Sequence, residues 1–304
     1  MSGRGAHEIA LVLGSGGARG LAHIGAIEVL EERGYRIVSI AGASMGALVG
    51  AIHAAGKLRE YRDWVRTLQR GDVLRLLDFA FGRGGLIKGD RIVGVLRELV
   101  GDRQIEDLPI RFTAVATDLG TQREVWLNQG PLFDAVRASI AIPMIFTPYV
   151  IGGREFVDGG LLAPVPIAAT RQTPADLVVA VDVNARSARP LVSPEAAQAE
   201  EAVPAVEVVD AGGGLRARLN AWMESFGDKT AGPKRPSQPG LMDLMSRSLD
   251  TMQGQLARLQ LALDPPDLLI RVPRDSAMFH EYWRAAELIE IGREAAQRAL
   301  EAAR

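Results

Sequence analysis

Gly42-Ala43-Ser44-Met45-Gly46 spells Gly-x-Ser-x-Gly between an apolar run and a stretch of small residues. A serine at such a strand-to-helix corner stands on a strained turn, and the flanking glycines let neighbouring chain crowd it. Its hydroxyl projects from the strand end, while the following helix aims its positive N-terminus at the same point. That placement suits a nucleophile beside which negative charge develops. The plainer alternative is a serine that only caps the helix.

A second cluster, Gly14-Ser15-Gly16-Gly17-Ala18-Arg19-Gly20, sets four glycines and a base between a strand and a helix. Consecutive backbone N–H groups at a helix start can hold a phosphate or the oxyanion of an acyl-transfer transition state. A dinucleotide loop would need Gly-x-Gly-x-x-Gly in register and an acidic residue about twenty positions on, and a Walker loop would need Gly-Lys-Ser/Thr. Neither pattern is present. The oxyanion reading is favoured provided a nucleophile is close.

Asp158-Gly159-Gly160 follows a short β-rich run, Phe156-Val157, 114 residues beyond Ser44. Any partnership between the two is therefore made by the fold. Asp158 reads either as a base or as the ordinary aspartate of a turn. The four histidines bear on the choice. His53 lies on the helix that follows Ser44, about 13 Å further along its axis, out of reach. His23 follows the glycine loop and reads as structural, and His7 precedes the first strand. Only His280 permits a Ser–Asp–His order. A serine that takes its base directly from Asp158 is the favoured reading. A triad through His280 and a non-catalytic lipid- or phosphate-binding module are the alternatives.

The elements that must position these residues alternate. Glu8–Leu13 reads as a strand buried on both faces, Leu21–Arg33 as a helix stopped by Gly34, Ile37–Ile40 as a strand and Ala47–Ala55 as a helix. Strands are expected again at Arg111–Ala116, Glu124–Leu127, Leu177–Val183 and Leu268–Val272, and a closing helix at Tyr282–Ala303. This alternation predicts an α/β fold with a mostly parallel sheet covered by helices on both faces. Val73–Phe81 reads as a packed helix or as a flap that meets lipid. Pro and Gly recur between 185 and 240 without a sustained period, which predicts an irregular insertion. Leu241, Leu244, Met245, Ser248, Met252, Leu256, Leu259 and Leu263 then share one face of a long helix, expected to pack into the core.

Composition sets the outer bounds. The chain has 304 residues, 47% hydrophobic and 24% charged, enough for a packed core and typical of a globular protein. A formal charge of −2 and 5% aromatic residues offer neither the basic field nor the stacking surface of a nucleic-acid binder. No cysteine is present, which excludes disulfides, thiolate metal sites and a cysteine nucleophile. Ile37–Gly56 is free of charge and long enough to span a bilayer, but Gly, Ala and Ser dominate it, so a buried strand and helix are expected instead. The N-terminus lacks the pattern of a secretory signal, and a cytoplasmic protein is expected.

Together, the Gly14–Gly20 loop, Gly42–Gly46 and Asp158-Gly159-Gly160 resemble the patatin-like phospholipase family. The likeness continues through Arg137–Pro148 (RASIAIPMIFTP) and Val157–Pro166, and covers about residues 8–185. The resemblance implies a three-layer α/β/α sandwich in a single domain spanning 1–304, with C-terminal helices and a last strand in 241–304. It implies hydrolysis of lipid acyl esters by a Ser–Asp dyad, Ser44 as nucleophile and Asp158 as base, without metal or cofactor. Gly16 and Gly17 would supply the oxyanion hole, with Arg19 beside them, framed by the motif glycines Gly14, Gly20, Gly42, Gly46, Gly159 and Gly160. Ser15 stands where many members carry a third glycine. The implied partner is a lipid or other acyl-ester substrate, met by transient contact at a membrane surface; the oligomeric state is left open.

Overall fold

The computed structural model describes residues 7–78, 87–186 and 241–303, with the side chains of 241–243 excepted. Chain contacts divide the protein into two units, one of Met1–Arg186 with Leu249–Arg304 and one of Ser187–Ser248. Of the second, only the start of a long helix falls among the described residues. The predicted insertion lies outside them from residue 187 onward, as does Val73–Phe81 from residue 79 onward.

The first unit is built on an eight-stranded sheet. Its strands are β1 (Glu8–Leu13), β2 (Arg36–Ala43), β3 (Arg111–Asp118), β4 (Arg123–Leu127), β5 (Tyr149–Ile151), β6 (Arg154–Asp158), β7 (Leu177–Ala185) and β8 (Leu268–Pro273). Five of them, in the order β3-β2-β1-β7-β8, run parallel. β4 and β6 join β3 antiparallel, and β5 extends β6. The described helices are α1 (Ala22–Glu32), α2 (Met45–Ala54), α3 (Leu58–Val65), α4 (Arg70–Arg75), α5 (Asp90–Val100), α6 (Leu132–Ser139), α7 (Leu241–Leu263) and α8 (Ala285–Ala302).

Strand alternation assigns the two faces. Ile9, Leu11 and Leu13 of β1 point into the larger core, which holds residues of α1, α2, α5, α6 and α8. Val12 points the other way, onto Val165, Ile167, Ala180 and Ala257 of α7. Helices thus cover both sides of a mostly parallel sheet, the α/β/α architecture. Ile37–Gly56 folds as β2 running into α2, both buried, and no described helix is long and apolar enough to cross a membrane.

Two differences from the sequence reading have simple causes. The apolar face of the long helix that was expected to pack into the core is largely exposed, with Met252, Leu259 and Leu263 at 57%, 55% and 76%, and the helix instead buries Gly254 and Ala257, which lie off that face. Against the second face of the sheet, the small side chain of Ala257 makes the close approach. β2 runs three residues further than Ile40, so the turn expected over Gly42–Gly46 contracts to one residue, Ser44.

Candidate active site

β3 is what brings the two halves of the site together. β2 pairs with it in register up to Ala43, which faces Val115. β6 then takes the same edge of β3, entering antiparallel with Asp158 opposite Ala116. β4 occupies the other edge along Ala114–Asp118. Ser44 follows Ala43 immediately, so the serine corner and the aspartate arrive at neighbouring positions although 114 residues separate them.

Ser44 has φ 55° and ψ −125°, a conformation costly for any side chain other than glycine. The crowding foreseen at the glycines is real. A Cβ on Gly46 would stand 2.1 Å from the Leu13 carbonyl oxygen, and one on Gly42 would stand 2.5 Å from that of Gly46. Ser44 occupies the N-cap position of α2, but its side chain makes no capping hydrogen bond. Its hydroxyl is left for other work. Its backbone N–H donates to Ser139 Oγ at 3.0 Å, and that hydroxyl donates to the Val115 carbonyl at 2.6 Å.

Asp158 is 1% exposed. Its Oδ1 accepts the Gly160 N–H at 2.7 Å, so the turn role is fulfilled on one oxygen. Oδ2 is buried and has no hydrogen-bond partner among the described residues. Burial pushes the carboxyl up to about 7, against the smaller opposing influences of the Ser44 side chain and the Gly160 N–H. The Ser44 hydroxyl thus lies close enough to favour the carboxylate without satisfying Oδ2. The backbone N–H of Asp158 donates to the Ala141 carbonyl at 2.9 Å, and its own carbonyl accepts from Thr117 Oγ1 at 3.1 Å. Gly159 is wedged against β3, where a Cβ would stand 1.9 Å from the Val115 carbonyl oxygen.

The glycine loop leaves β1 and is tied down at its ends. Gly14 N–H donates to Val181, Ser15 N–H to Pro164 and Ala18 N–H to Phe279. Asn184 Nδ2 holds the Ser15 carbonyl at 2.6 Å, and Gly20 packs on Met45. Among the described residues the N–H groups of Gly16 and Gly17 donate to nothing. Gly17 has φ 55°, and Phe279 sits where a Cβ would be, its carbonyl oxygen 2.6 Å away. Only glycine fits there.

Arg19 is buried behind this loop. Its Nε donates to the Gly16 carbonyl at 3.2 Å, Nη1 to the Arg274 carbonyl at 3.2 Å and Nη2 to Asp250 at 3.3 Å. The carbonyl of Gly16 and the N–H of Gly17 belong to one planar peptide and point in opposite directions. By gripping the first, Arg19 fixes the second. The resemblance implied Arg19 beside the Gly16 and Gly17 amides; its guanidinium holds the loop from the carbonyl side of Gly16.

The histidines take supporting positions. His23 Nε2 is 2.8 Å from the Gly14 carbonyl, and burial pulls the ring down to about 4, so it is neutral at pH 7 and donates this bond. His53 is likewise lowered to about 4 by burial at the far end of α2. His280 packs against Phe279 and Trp283, and burial lowers its pKa, while Glu281 acts to raise it and Arg70 to lower it. Tyr282 was not singled out from sequence. Burial, and then the neighbouring charge of Asp158, push its phenol up to about 12. Ser139, Ala141 and Asn184 were also missed individually, because a residue that holds a backbone amide or carbonyl carries no spacing signal. No group of three or more potential metal ligands exists among the described residues.

The patatin-like phospholipase family model matches residues 11–171. An uncharacterised NTE family protein of Mycobacterium tuberculosis is 42% identical over 329 aligned residues, which cover 97% of this chain and 91% of that protein. A lysophospholipase of Emericella nidulans is 29% identical over 185 residues, 58% of this chain but 12% of its own length. A patatin-like phospholipase domain-containing protein of Mus musculus is 32% identical over 186 residues, 59% of this chain and 14% of its own.

Proposed function

This chain belongs to the patatin-like phospholipase family, and from that premise we propose a serine hydrolase of lipid acyl esters, of lysophospholipase or related esterase type, that works through Ser44 and Asp158. The observation that carries the dyad is the arrival of a strained serine corner and a buried carboxyl at adjacent positions on one edge of β3.

The chemistry follows from the neighbours of each group. Asp158 takes the hydroxyl proton as Ser44 Oγ attacks the ester carbonyl carbon. The uncommitted N–H groups of Gly16 and Gly17 receive the oxyanion, a contribution of about 3–4 kcal/mol for one well-placed donor. Collapse breaks the bond to the leaving alkoxide, which takes the proton from Asp158 and departs as an alcohol. Water then attacks the acyl-enzyme, gives its proton to Asp158 and releases the fatty acid. Ser44 recovers its proton as its bond to the acyl carbon breaks.

An aspartate at its ordinary pKa is a weak base at neutral pH. Burial supplies the basicity that a histidine provides elsewhere. The test is hydrolysis of p-nitrophenyl esters of graded length beside phospholipids and lysophospholipids. The wild-type protein should release fatty acid, and Ser44→Ala and Asp158→Asn should each lose about a thousandfold or more in kcat. A Ser44→Ala protein as active as wild type removes the reading. A wild-type protein that binds lipid and cleaves none would make it a binding module.

A further inference from the structure

Both members of the proposed dyad hang by their backbone amides from one short segment. Ser44 N–H donates to Ser139 Oγ at 3.0 Å, and Asp158 N–H donates to the Ala141 carbonyl at 2.9 Å. Residues 139–141 leave the C-terminal end of α6, where Ser139 is 0% exposed. The Ser139 hydroxyl also donates to the carbonyl of Val115, the β3 residue that faces Ala43. One hydroxyl thereby joins the serine corner, the central strand and the segment that carries the aspartate.

We propose that Ser139 is a positioning residue, whose hydroxyl holds Ser44 in its strained backbone conformation and fixes its spacing from Asp158. The proposal rests on the reading of Ser44 as the nucleophile. Ser44 is one of three described non-glycine residues with positive φ. Such a conformation persists only where the surroundings over-determine it. Its carbonyl accepts the Leu48 N–H of α2, a bond that any helix start would make. The N–H is the group whose direction distinguishes the strained corner from a relaxed one, and Ser139 Oγ is its acceptor. Without that acceptor the N–H would be buried and unpaired, and rotation of the corner toward ordinary φ would relieve both the strain and the orphaned donor. The hydroxyl of Ser44 would swing away from Asp158. Strain release and the lost hydrogen bond act on stability in opposite directions, so activity should fall much further than stability.

The test compares Ser139→Ala, Ser139→Cys and Ser139→Thr with wild type, by kcat, KM and melting temperature on the best p-nitrophenyl ester. Cysteine keeps the volume but is a weak acceptor, so it stands in for alanine if that variant does not fold. Ser139→Ala, or Ser139→Cys in its place, should lose roughly 10–100-fold in kcat, the effect of misplacing a nucleophile by about 1 Å. KM should change less than about twofold and melting should stay near wild type, since no substrate contact is removed. Ser139→Thr, which keeps the hydroxyl, should recover most of the loss. Wild-type kcat in folded Ser139→Ala or Ser139→Cys would overturn the proposal. So would a loss in kcat matched by a comparable fall in melting temperature, which would mark a merely structural residue. If wild-type protein and Ser44→Ala are equally inactive on every ester, the functional reading fails instead.

Discussion

Asp158 accepts the Gly160 N–H on Oδ1 and leaves Oδ2 buried without a partner among the described residues. The turn that shapes the Asp-Gly-Gly corner thus anchors one oxygen and keeps the other for a proton. A carboxylate bonded on both sides would be a poorer base, because each donor favours the charged form. Desolvation outweighs the Ser44 side chain and the Gly160 N–H here and raises the group to about 7.

A base raised to about 7 sets how rate depends on pH. In the proposed dyad the ionised form of Asp158 is the base, so kcat/KM should rise with pH as a single ionisation near 7 and level off above it. A stopped assay between pH 5 and 9 on one ester measures this. A profile already flat from pH 5 would assign the base to a carboxylate in water or to another group.

The same shift has a stability consequence of definite sign. Between the ordinary aspartate value and about 7 the folded protein holds a proton that the unfolded chain has lost. Stability therefore falls as pH rises through that window and stays level above it. Asp158→Asn removes the penalty while keeping an acceptor for Gly160. Its melting temperature should exceed that of wild type by a few degrees at pH 8 and by little near pH 4. Equal gains at both pH values would contradict a raised carboxyl.

The fold was largely legible because its signals are local. The strand Glu8–Leu13 was read with the bounds it has in the structure, and the strand–corner–helix order around Ser44 followed from apolar runs and glycines. The adjacency of Ser44 and Asp158 was not legible, since it depends on β6 inheriting the β3 edge that β2 leaves. Spacing along the chain carries no record of such an exchange. Arg19 shows a second limit. Its presence in the loop was visible, but the peptide carbonyl it grips was not.

For that reason Arg19→Lys is informative. Lysine keeps the charge but cannot reach Gly16, Arg274 and Asp250 together as the planar fork does. We expect roughly a tenfold fall in kcat with KM nearly unchanged, read from steady-state kinetics, as the Gly17 N–H loses its fixed direction. A change in KM alone would place Arg19 in substrate binding.

Gly17→Ala tests the proposed oxyanion loop. The added methyl meets the Phe279 carbonyl and a positive φ, so the loop must shift. Loss of one donor predicts a fall of about a hundredfold to a thousandfold in kcat. An alanine variant that folds and turns over at the wild-type rate would exclude this N–H from the reaction.

The proposed chemistry needs Ser44 to be activated by Asp158 and by no imidazole. Intact-mass kinetics with a fluorophosphonate ester measure that activation directly. Wild type and His280→Ala should take up one adduct at similar rates, mapped to Ser44. Asp158→Asn should react slower by about a thousandfold or more, and Ser44→Ala not at all. Rapid labelling of Asp158→Asn together with loss of labelling in His280→Ala would contradict the dyad.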